Sequence, residues 1–178
     1  MMSPTSFVNG EIAVQNDEEK PIGQNPSQGL PDDGRLELTA DNLRQLWSKT
    51  YNTQGKPDWS HIFKYYHEDV VFHDTIQRIE GKAEFIALCE RLTGRCKELR
   101  MDIGTVFISG NERIFDWTMT MMFKKFPSTP IFGCTKLTLH EDGRILTQRD
   151  YYDLWGDIFN GIPWFKRHYR RFMRKKFG

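Results

Sequence analysis

Cysteines are few in this chain, and long apolar runs are missing. Cys89, Cys96 and Cys134 are the three cysteines among 178 residues, an odd number without the spacing of a zinc site. No apolar stretch approaches the roughly 20 residues that cross a bilayer. The first 30 residues lack the basic-then-apolar order of a secretory signal. We therefore expect a cytoplasmic protein with reduced thiols.

Several signatures of catalysis are also missing. The chain has no Gly-rich phosphate loop, and no Ser or Cys stands in a nucleophile elbow. His61, His67 and His73 lie six residues apart, which fits neither the helical nor the strand spacing of metal ligands. These absences disfavour nucleophilic catalysis, and we expect neither a metal nor a cofactor.

Charge is unevenly distributed although the net charge is only +1. Residues 1–35 carry a net charge of −4, whereas residues 163–178 hold seven basic residues and no acid. The overall balance gives no reason to expect nucleic acid as a partner. Residues 163–177 are predicted to form an amphipathic helix. It can lie on an anionic membrane surface, but packing on its own domain or on a partner subunit is the favoured interpretation.

The chain divides into three parts by composition. Residues 1–35 are rich in Pro, Gly, Asn, Gln and Asp without an apolar period, which indicates a flexible leader. Residues 36–160 are predicted to form one domain, and residues 161–178 a basic amphipathic helix. The size suits one domain plus tails.

Apolar periodicity predicts three helices in the first half of the domain. Thr39 is the expected N-cap of the first helix, which runs to Tyr51. Asp58 would cap the second, whose apolar stripe includes Tyr66, and Gly81 would begin a third that ends with Cys96. A short strand is predicted between the second and third helices, over residues 70–74.

The second half is predicted to consist of strands. They cover residues 99–108, 113–126, 131–140 and 145–154, and the turn at 141–144 has Asp-Gly hairpin chemistry. Helices segregated from an antiparallel sheet make an α+β domain. A strongly bent sheet with helices across its mouth would enclose a conical cavity.

The segment 143–153 carries acids where a strand usually carries apolar side chains. Strand side chains alternate between faces, so Asp150 and Tyr152 share one face while Tyr151 and Asp153 share the other. A buried acid is unfavourable unless something satisfies it, which makes Asp150 a candidate working group. The simpler alternative is that Asp150 pairs with Arg149 or with a backbone N–H.

The long strand at 113–126 also has two different faces. One bears Asp116, Thr118 and Thr120, and the other bears Trp117, Met119, Met121 and Phe123. We expect the polar face to line a wet cavity that Asp74 and Asp150 share, although Asp116 could instead cap a sheet edge. Clustered carboxylates tend to keep one proton, which would provide an acid and a base side by side. The apolar face would pack under helices or against a second subunit.

Two segments within this order of elements, YYHEDVVFHD (65–74) and GRILTQRDYYD (143–153), resemble the nuclear transport factor 2-like superfamily. The SnoaL-like, ketosteroid isomerase-like and limonene epoxide hydrolase-like branches are nearest, over about residues 38–160. The resemblance implies a cone-shaped α+β fold in which three helices cover a cavity beneath a bent antiparallel or mixed sheet. It also implies a homodimer formed through a sheet face, for which Trp117, Met119 and Met121 are the candidates. The scaffold hosts enzymes and non-enzymes alike.

The chain matches the catalytic pattern of the epoxide hydrolase branch only in part. The resemblance assigns Asp150 and Asp116 to the two catalytic acids, but Ile114 stands where an Arg is needed. Phe72 and Asp74 stand where a Tyr and an Asn would hold the attacking water. Epoxide hydrolysis by that route is therefore not expected.

The ketosteroid isomerase branch is likewise matched in part. The resemblance assigns Asp74 to the general base, whereas Trp47 and Thr135 occupy the oxyanion-hole positions. Asp150, Asp116 and Asp74 are thus the catalytic candidates, and the ligand-binding candidates are Trp47, Phe72, Thr118, Thr135 and Tyr152. We expect acid–base chemistry (isomerisation, cyclisation, dehydration or hydrolysis) on a mostly apolar small molecule. The alternative is a ligand-binding or protein-interaction module without chemistry.

Overall fold

A computed structural model describes residues 34–49, 57–123, 130–158 and 162–178. Within these ranges the elements are α1 (Ala40–Ser48), α2 (Ser60–Phe63), β1 (Tyr66–His73), β2 (Arg78–Glu80), α3 (Lys82–Arg95), β3 (Cys96–Ser109), β4 (Glu112–Phe123), β5 (Pro130–Leu139), β6 (Ile145–Tyr152), a π-helix (Leu154–Ile158) and α4 (Pro163–Phe177). Almost all of the predicted leader, the predicted end of the first helix at 50–51 and most of the connection between the predicted strands at 113–126 and 131–140 lie outside the described residues.

The six strands form one sheet in the order β2-β1-β6-β5-β4-β3. Neighbouring strands are antiparallel except β1 and β6, which run parallel, so the sheet is mixed. The β3–β4 pairing shifts register between Ile103 and Val106, and such an irregularity bends a strand and increases its twist. The predicted α+β class with a curved mixed sheet is confirmed.

The first three helices lie on one side of this sheet. Thr39 caps α1 as predicted, since its side chain accepts a hydrogen bond of 3.3 Å from the N–H of Asn42. This helix buries Leu43, Leu46 and Trp47 and packs against β3. The longer α3 packs against β1 and β3 through an inner stripe that contains Phe85. These three helices therefore do not cover the opposite face of the sheet.

Several predicted boundaries are wrong by half a turn or more. Tyr66 begins β1 instead of continuing the second helix, and Cys96 begins β3 instead of ending the third. Both residues are buried, and one buried residue at an element's edge fits a period of two as well as one of 3.6. The short β2 strand and the π-helix after β6 were not predicted.

The apolar face of β4 packs under the helices, one of the two alternatives expected for it, whereas the polar face does not line the cavity as predicted. Trp117 and Met121 are buried on the helix side of the sheet, whereas Asp116 is exposed on the other side with Thr118. Burial of large apolar side chains beneath the helices releases more free energy than burial of an acid and a threonine. The prediction that Asp116 and Thr118 line the cavity is therefore wrong. The apolar face of β4 is also not available as a dimer surface.

Candidate functional site

A cavity of about 400 Å³ lies between the bent sheet and helices α1 to α3. Its lining is mostly aromatic, aliphatic and methionine side chains, which include Trp47 from α1, Phe72 from β1 and Met119 from β4. Cavities of this size and character hold small organic molecules in many proteins. The predicted cavity beneath the sheet is thus present, but its walls are apolar instead of wet.

Asp150 lies in this cavity, and neighbouring side chains hold its carboxyl group. Its Oδ1 accepts from the Thr135 hydroxyl at 2.6 Å and from Gln148 Nε2 at 3.0 Å. Gln148 Nε2 also lies 3.2 Å from Oδ2. Three contacts with neutral side chains therefore orient the carboxyl group. The simpler alternative, in which Asp150 pairs with Arg149 or a backbone N–H, does not describe these contacts.

Each partner of Asp150 is itself fixed by a buried aromatic donor. Tyr66 donates to Gln148 Oε1 at 2.5 Å, which turns the amide nitrogen of that glutamine toward the acid. Trp117 Nε1 donates to Thr135 Oγ1 at 2.9 Å, so the threonine hydroxyl is left to donate to Asp150. Two short hydrogen-bonded chains thus converge on one carboxyl group.

The environment raises the pKa of Asp150 from 3.8 to about 6. Burial is the largest cause, because it penalises the ionised form, and the nearby Asp74 carboxylate acts in the same direction. The hydrogen bonds from Thr135 and Gln148 act in the opposite direction but do not cancel the burial. A carboxyl group with this pKa exists in both protonation states close to neutral pH.

Asp74 is the second acid of the cavity. Its Oδ1 accepts from the N–H groups of Ile76 and Gln77, both at 2.8 Å, and its Oδ2 accepts from the Tyr152 hydroxyl at 3.2 Å. Burial and the proximity of Asp74 raise the pKa of Tyr152 well above its usual value, so its phenol stays protonated. Asp74 and Tyr152 therefore form a hydrogen-bonded pair beside Asp150.

The parallel pairing of β1 with β6 explains why these acids meet. Phe72 lies opposite Gln148 and His73 opposite Arg149, so the chain reaches Asp74 at the level of Asp150. The His73 ring contacts the Arg149 guanidinium, away from the cavity lining, which leaves Asp74 as the inward group. Two of the three predicted acids, Asp74 and Asp150, therefore line the cavity.

Asp116, the third acid, has a structural role. Its Oδ1 accepts a 2.7 Å hydrogen bond from the N–H of Thr105. The side chain sits over Gly104, where an added Cβ would fall only 2.1 Å from its Oδ2. Asp116 therefore stabilises the irregular part of β3 from the outer face, close to the edge-capping alternative.

The predicted ligand-binding residues divide in the same way. Trp47, Phe72 and Tyr152 line the cavity. Thr135 is buried behind Asp150 and acts through it, and Thr118 points away. Sequence reasoning missed Gln148 and Tyr66. The strand spacing of Gln148, Asp150 and Tyr152 places all three on one face and could have revealed the first of them.

Basic residues are missing from the described lining of the cavity. Arg113, which neighbours the position where an epoxide hydrolase needs arginine, donates to the carbonyls of Leu38 at 3.1 Å and Gly110 at 2.6 Å. Ile114 itself is 37% exposed. Neither residue therefore brings a guanidinium group into the described lining of the cavity.

Cys89 lies in the cavity but is not a nucleophile. Burial, followed by the influence of Asp150, raises the pKa of its thiol to about 12. The thiolate is the reactive form of cysteine, and it is negligible at neutral pH in this environment. Cys89 therefore contributes a small apolar surface to the lining.

Within the described ranges, one group of side chains has the spacing of metal ligands: His67, His140 and Asp142, whose ligand atoms lie within 4.8 Å of one another. None of them lines the cavity. Burial opposes ionisation of Asp142, but hydrogen bonds from Arg144 and His140 outweigh it and lower its pKa to about 2. Because the Arg144 guanidinium already holds this carboxylate at 2.7 Å, the group fits an ion-pair cluster better than a metal centre.

Residues 47–148 match the SnoaL-like domain family, and this region contains most of the cavity lining. The chain belongs to this family. The SnoaL-like branch is one of the three to which segments 65–74 and 143–153 showed a resemblance. The match ends just before Asp150, so the strongest candidate residue lies immediately beyond it.

Solved structures with the same fold come from several bacteria. A protein with a ketosteroid isomerase-like fold from Catenulispora acidiphila, in complex with trimethylamine, has 14% identity and a TM-score of 0.58, and the match covers 69% of this chain and 94% of that one. A candidate SnoaL-like polyketide cyclase from Jannaschia sp. has 18% identity and a TM-score of 0.56, with 68% and 89% covered. An epoxide hydrolase of the limonene epoxide hydrolase-like type from M. tuberculosis has 22% identity and a TM-score of 0.50, with 57% and 74% covered.

These likenesses establish the nuclear transport factor 2-like fold and leave the activity open. A search of curated proteins finds no match to the chain. Among the described residues, no helix is long and apolar enough to cross a membrane. The chemistry of this SnoaL-like protein must therefore be argued from its own cavity.

Proposed function

We propose that this SnoaL-like protein is an acid–base enzyme that acts on a mostly apolar small molecule. The observation that carries the proposal is a single carboxyl group, Asp150, with a pKa of about 6 in an apolar cavity of about 400 Å³. The walls would bind the body of the ligand by burying its apolar surface. Asp150 would meet its polar or reacting end.

Asp150 would transfer a proton between two positions of the bound molecule. In its ionised form it accepts a proton from carbon or oxygen, and in its protonated form it returns that proton elsewhere. Thr135 and Gln148 donate to Oδ1, which leaves Oδ2 as the freer oxygen for this exchange. Isomerisation, cyclisation and dehydration need only such transfers, and hydrolysis would need a bound water as well.

Asp74 and Tyr152 would orient the ligand. The Tyr152 phenol is protonated and can donate to a carbonyl or hydroxyl oxygen if it exchanges its bond to Asp74. Asp74 also keeps the pKa of Asp150 high, because two nearby negative charges disfavour each other. The pair thus supports Asp150 electrostatically and offers a polar contact point.

The test compares two aspartate variants against a panel of enones, epoxides and polyketide-like compounds. Asp150→Asn should abolish any turnover by the wild-type protein, whereas Asp116→Asn should retain it, because Asp116 is exposed on the outer face of the sheet. Product formation is followed by mass spectrometry. A fully active Asp150→Asn protein would contradict the proposed role.

A ligand-binding module without chemistry is the second candidate. It is favoured by the apolar residue Trp47 and by Thr135 at positions where related isomerases place oxyanion donors, and by the lack of a basic residue in the described lining. A small molecule that co-purifies with the protein under gentle conditions and keeps the same mass after incubation would support this candidate. Its conversion to a product on prolonged incubation would favour the enzyme.

We also propose a homodimer through the outer face of the sheet, in place of the inner face first predicted. Ile114, Met122, Phe132 and Tyr151 are between 37% and 59% exposed there. Size-exclusion chromatography with light scattering should give twice the chain mass, and a monomer at micromolar concentration would refute the dimer.

The three free cysteines support a reducing compartment such as the cytoplasm.

A further inference from the structure

Helix α4 is attached to the domain through a stack of aromatic rings. Trp155, in the π-helix after β6, stacks on Phe165 at a centroid distance of 5.6 Å and on Tyr169 at 5.8 Å. Two other residues of the same π-helix, Leu154 and Ile158, line the cavity. The helix is thus joined to the rim of the candidate site.

The remaining large apolar residues of α4 are exposed. Trp164, Phe172 and Phe177 have 71%, 56% and 77% of their surface accessible. The interpretation favoured from sequence was packing on its own domain or on a partner subunit. The stack on Trp155 fits the first of these, but the three side chains remain largely exposed on the domain. Large exposed aromatic side chains of this kind are typical of sites that interact with a protein or a membrane.

The same helix carries a concentrated positive charge. Five basic side chains line an open hollow along it: Lys166, Arg167, Arg170, Arg171 and Arg174. Residues 163–178 themselves contain no acid. A surface that combines basic groups with aromatic rings matches an interface between anionic headgroups and acyl chains.

We propose that α4 binds an anionic phospholipid surface and holds the cavity rim next to the bilayer. The aromatic side chains would enter the boundary between headgroups and acyl chains, and the arginines and lysines would pair with phosphate and carboxylate groups. A nucleic acid would engage the basic residues but leave Phe172 and Phe177 in water, so the bilayer satisfies more of the helix. This binding does not depend on whether the cavity is catalytic.

Vesicle co-sedimentation of the full chain tests the proposal. The protein should sediment with vesicles of phosphatidylcholine mixed with phosphatidylserine, and much less with phosphatidylcholine alone. Neutralisation of three charges by Arg167→Gln, Arg171→Gln and Arg174→Gln should weaken partitioning by about a hundredfold, since each basic residue contributes roughly fivefold near an anionic surface. High salt should act in the same direction.

A matched variant controls for net charge alone. Arg91→Gln, Arg95→Gln and Lys97→Gln remove three charges that are also exposed, near the junction of α3 and β3, and should leave vesicle binding nearly unchanged. Likewise, Trp164→Ala should weaken binding, whereas Phe107→Ala, which removes a ring of similar exposure from β3, should not. Circular dichroism should report that all four proteins keep the wild-type fold.

Three results would overturn the proposal. They are equal sedimentation with neutral and anionic vesicles, equal loss in the α4 variant and its control, and binding to a single-stranded oligonucleotide without binding to vesicles. The last would identify a nucleic acid as the partner of the basic surface. None of these measurements involves turnover. A negative vesicle result would therefore not contradict the proposed enzymatic function, and a lack of turnover would not contradict membrane binding by α4.

Discussion

Replacement of Asp150 by asparagine removes the acid that is least favourably placed in the fold. The pKa of this carboxyl rises from 3.8 to about 6 on folding, so the native state binds more protons than the unfolded state between these values. Wild-type stability must therefore fall as pH rises through that window, and it must level off above it. Asparagine does not titrate in this pH range, so the free energy of unfolding of the variant does not fall for this reason.

The magnitude follows from the two pKa values. A difference of one pKa unit corresponds to about 1.4 kcal/mol, which gives about 3 kcal/mol for the interval from 3.8 to about 6. The variant also has a fixed penalty, because its Nδ2 group faces the Gln148 amide donor that lies 3.2 Å from Oδ2 in the wild type. That penalty is independent of pH, so the pH dependence of the difference isolates the ionisation of Asp150.

Urea unfolding at a series of pH values measures this difference. The free energy of unfolding of Asp150→Asn minus that of the wild type should increase by about 3 kcal/mol from below pH 3.8 to above pH 6. If the Asp150→Asn curve ran parallel to the wild-type curve, burial would not be raising the pKa of Asp150, and the electrostatic basis of the candidate site would be wrong.

Other predictions concern packing and the hydrogen-bonded chains around the site. An added Cβ at Gly133 would lie 2.3 Å from the buried Trp117 ring, so Gly133→Ala should destabilise the protein by about 1–3 kcal/mol in urea unfolding. Gly94→Ala meets nothing within 4 Å and should be neutral or stabilising in the same assay; an equal loss in both would contradict the packing argument. Tyr66→Phe removes the buried donor to Gln148 and should lower stability by about 1–3 kcal/mol, whereas no change would show that the glutamine is held otherwise. If Asp150 acts as a base, kcat/KM for a turned-over compound should rise with pH through about 6, and a flat profile would exclude that role.

Local features of the chain were predictable because they depend on neighbouring residues. Thr39 caps α1 through an atom three residues away, and Gly143 takes the positive φ of +79° that its Asp-Gly turn requires. Alternation along β6 correctly placed Asp150 and Tyr152 on a shared face, and both line the cavity. The fold class followed from the order of such elements, and the resemblance of segments 65–74 and 143–153 narrowed it to one superfamily.

Features that join distant segments were not predictable in the same way. The period of two divided β4 into two faces, and the apolar face was expected under helices or against a second subunit, but the period does not show which face lines the cavity. Asp116 was therefore assigned to the cavity when it actually supports Thr105 on the outside. Tyr66 was placed on a helix, so its bond to Gln148, 82 residues away, could not be anticipated.

By itself, the sequence determined approximately where most of the strands fall, which residues share a face, and that an acid stands late in the last strand. Only the tertiary structure decided that Asp74 meets Asp150, because the parallel β1–β6 pairing joins segments about 76 residues apart. It also decided that the meeting place is apolar. The pKa of Asp150 depends on that burial, which is a property of the walls around the acid and of no residue alone.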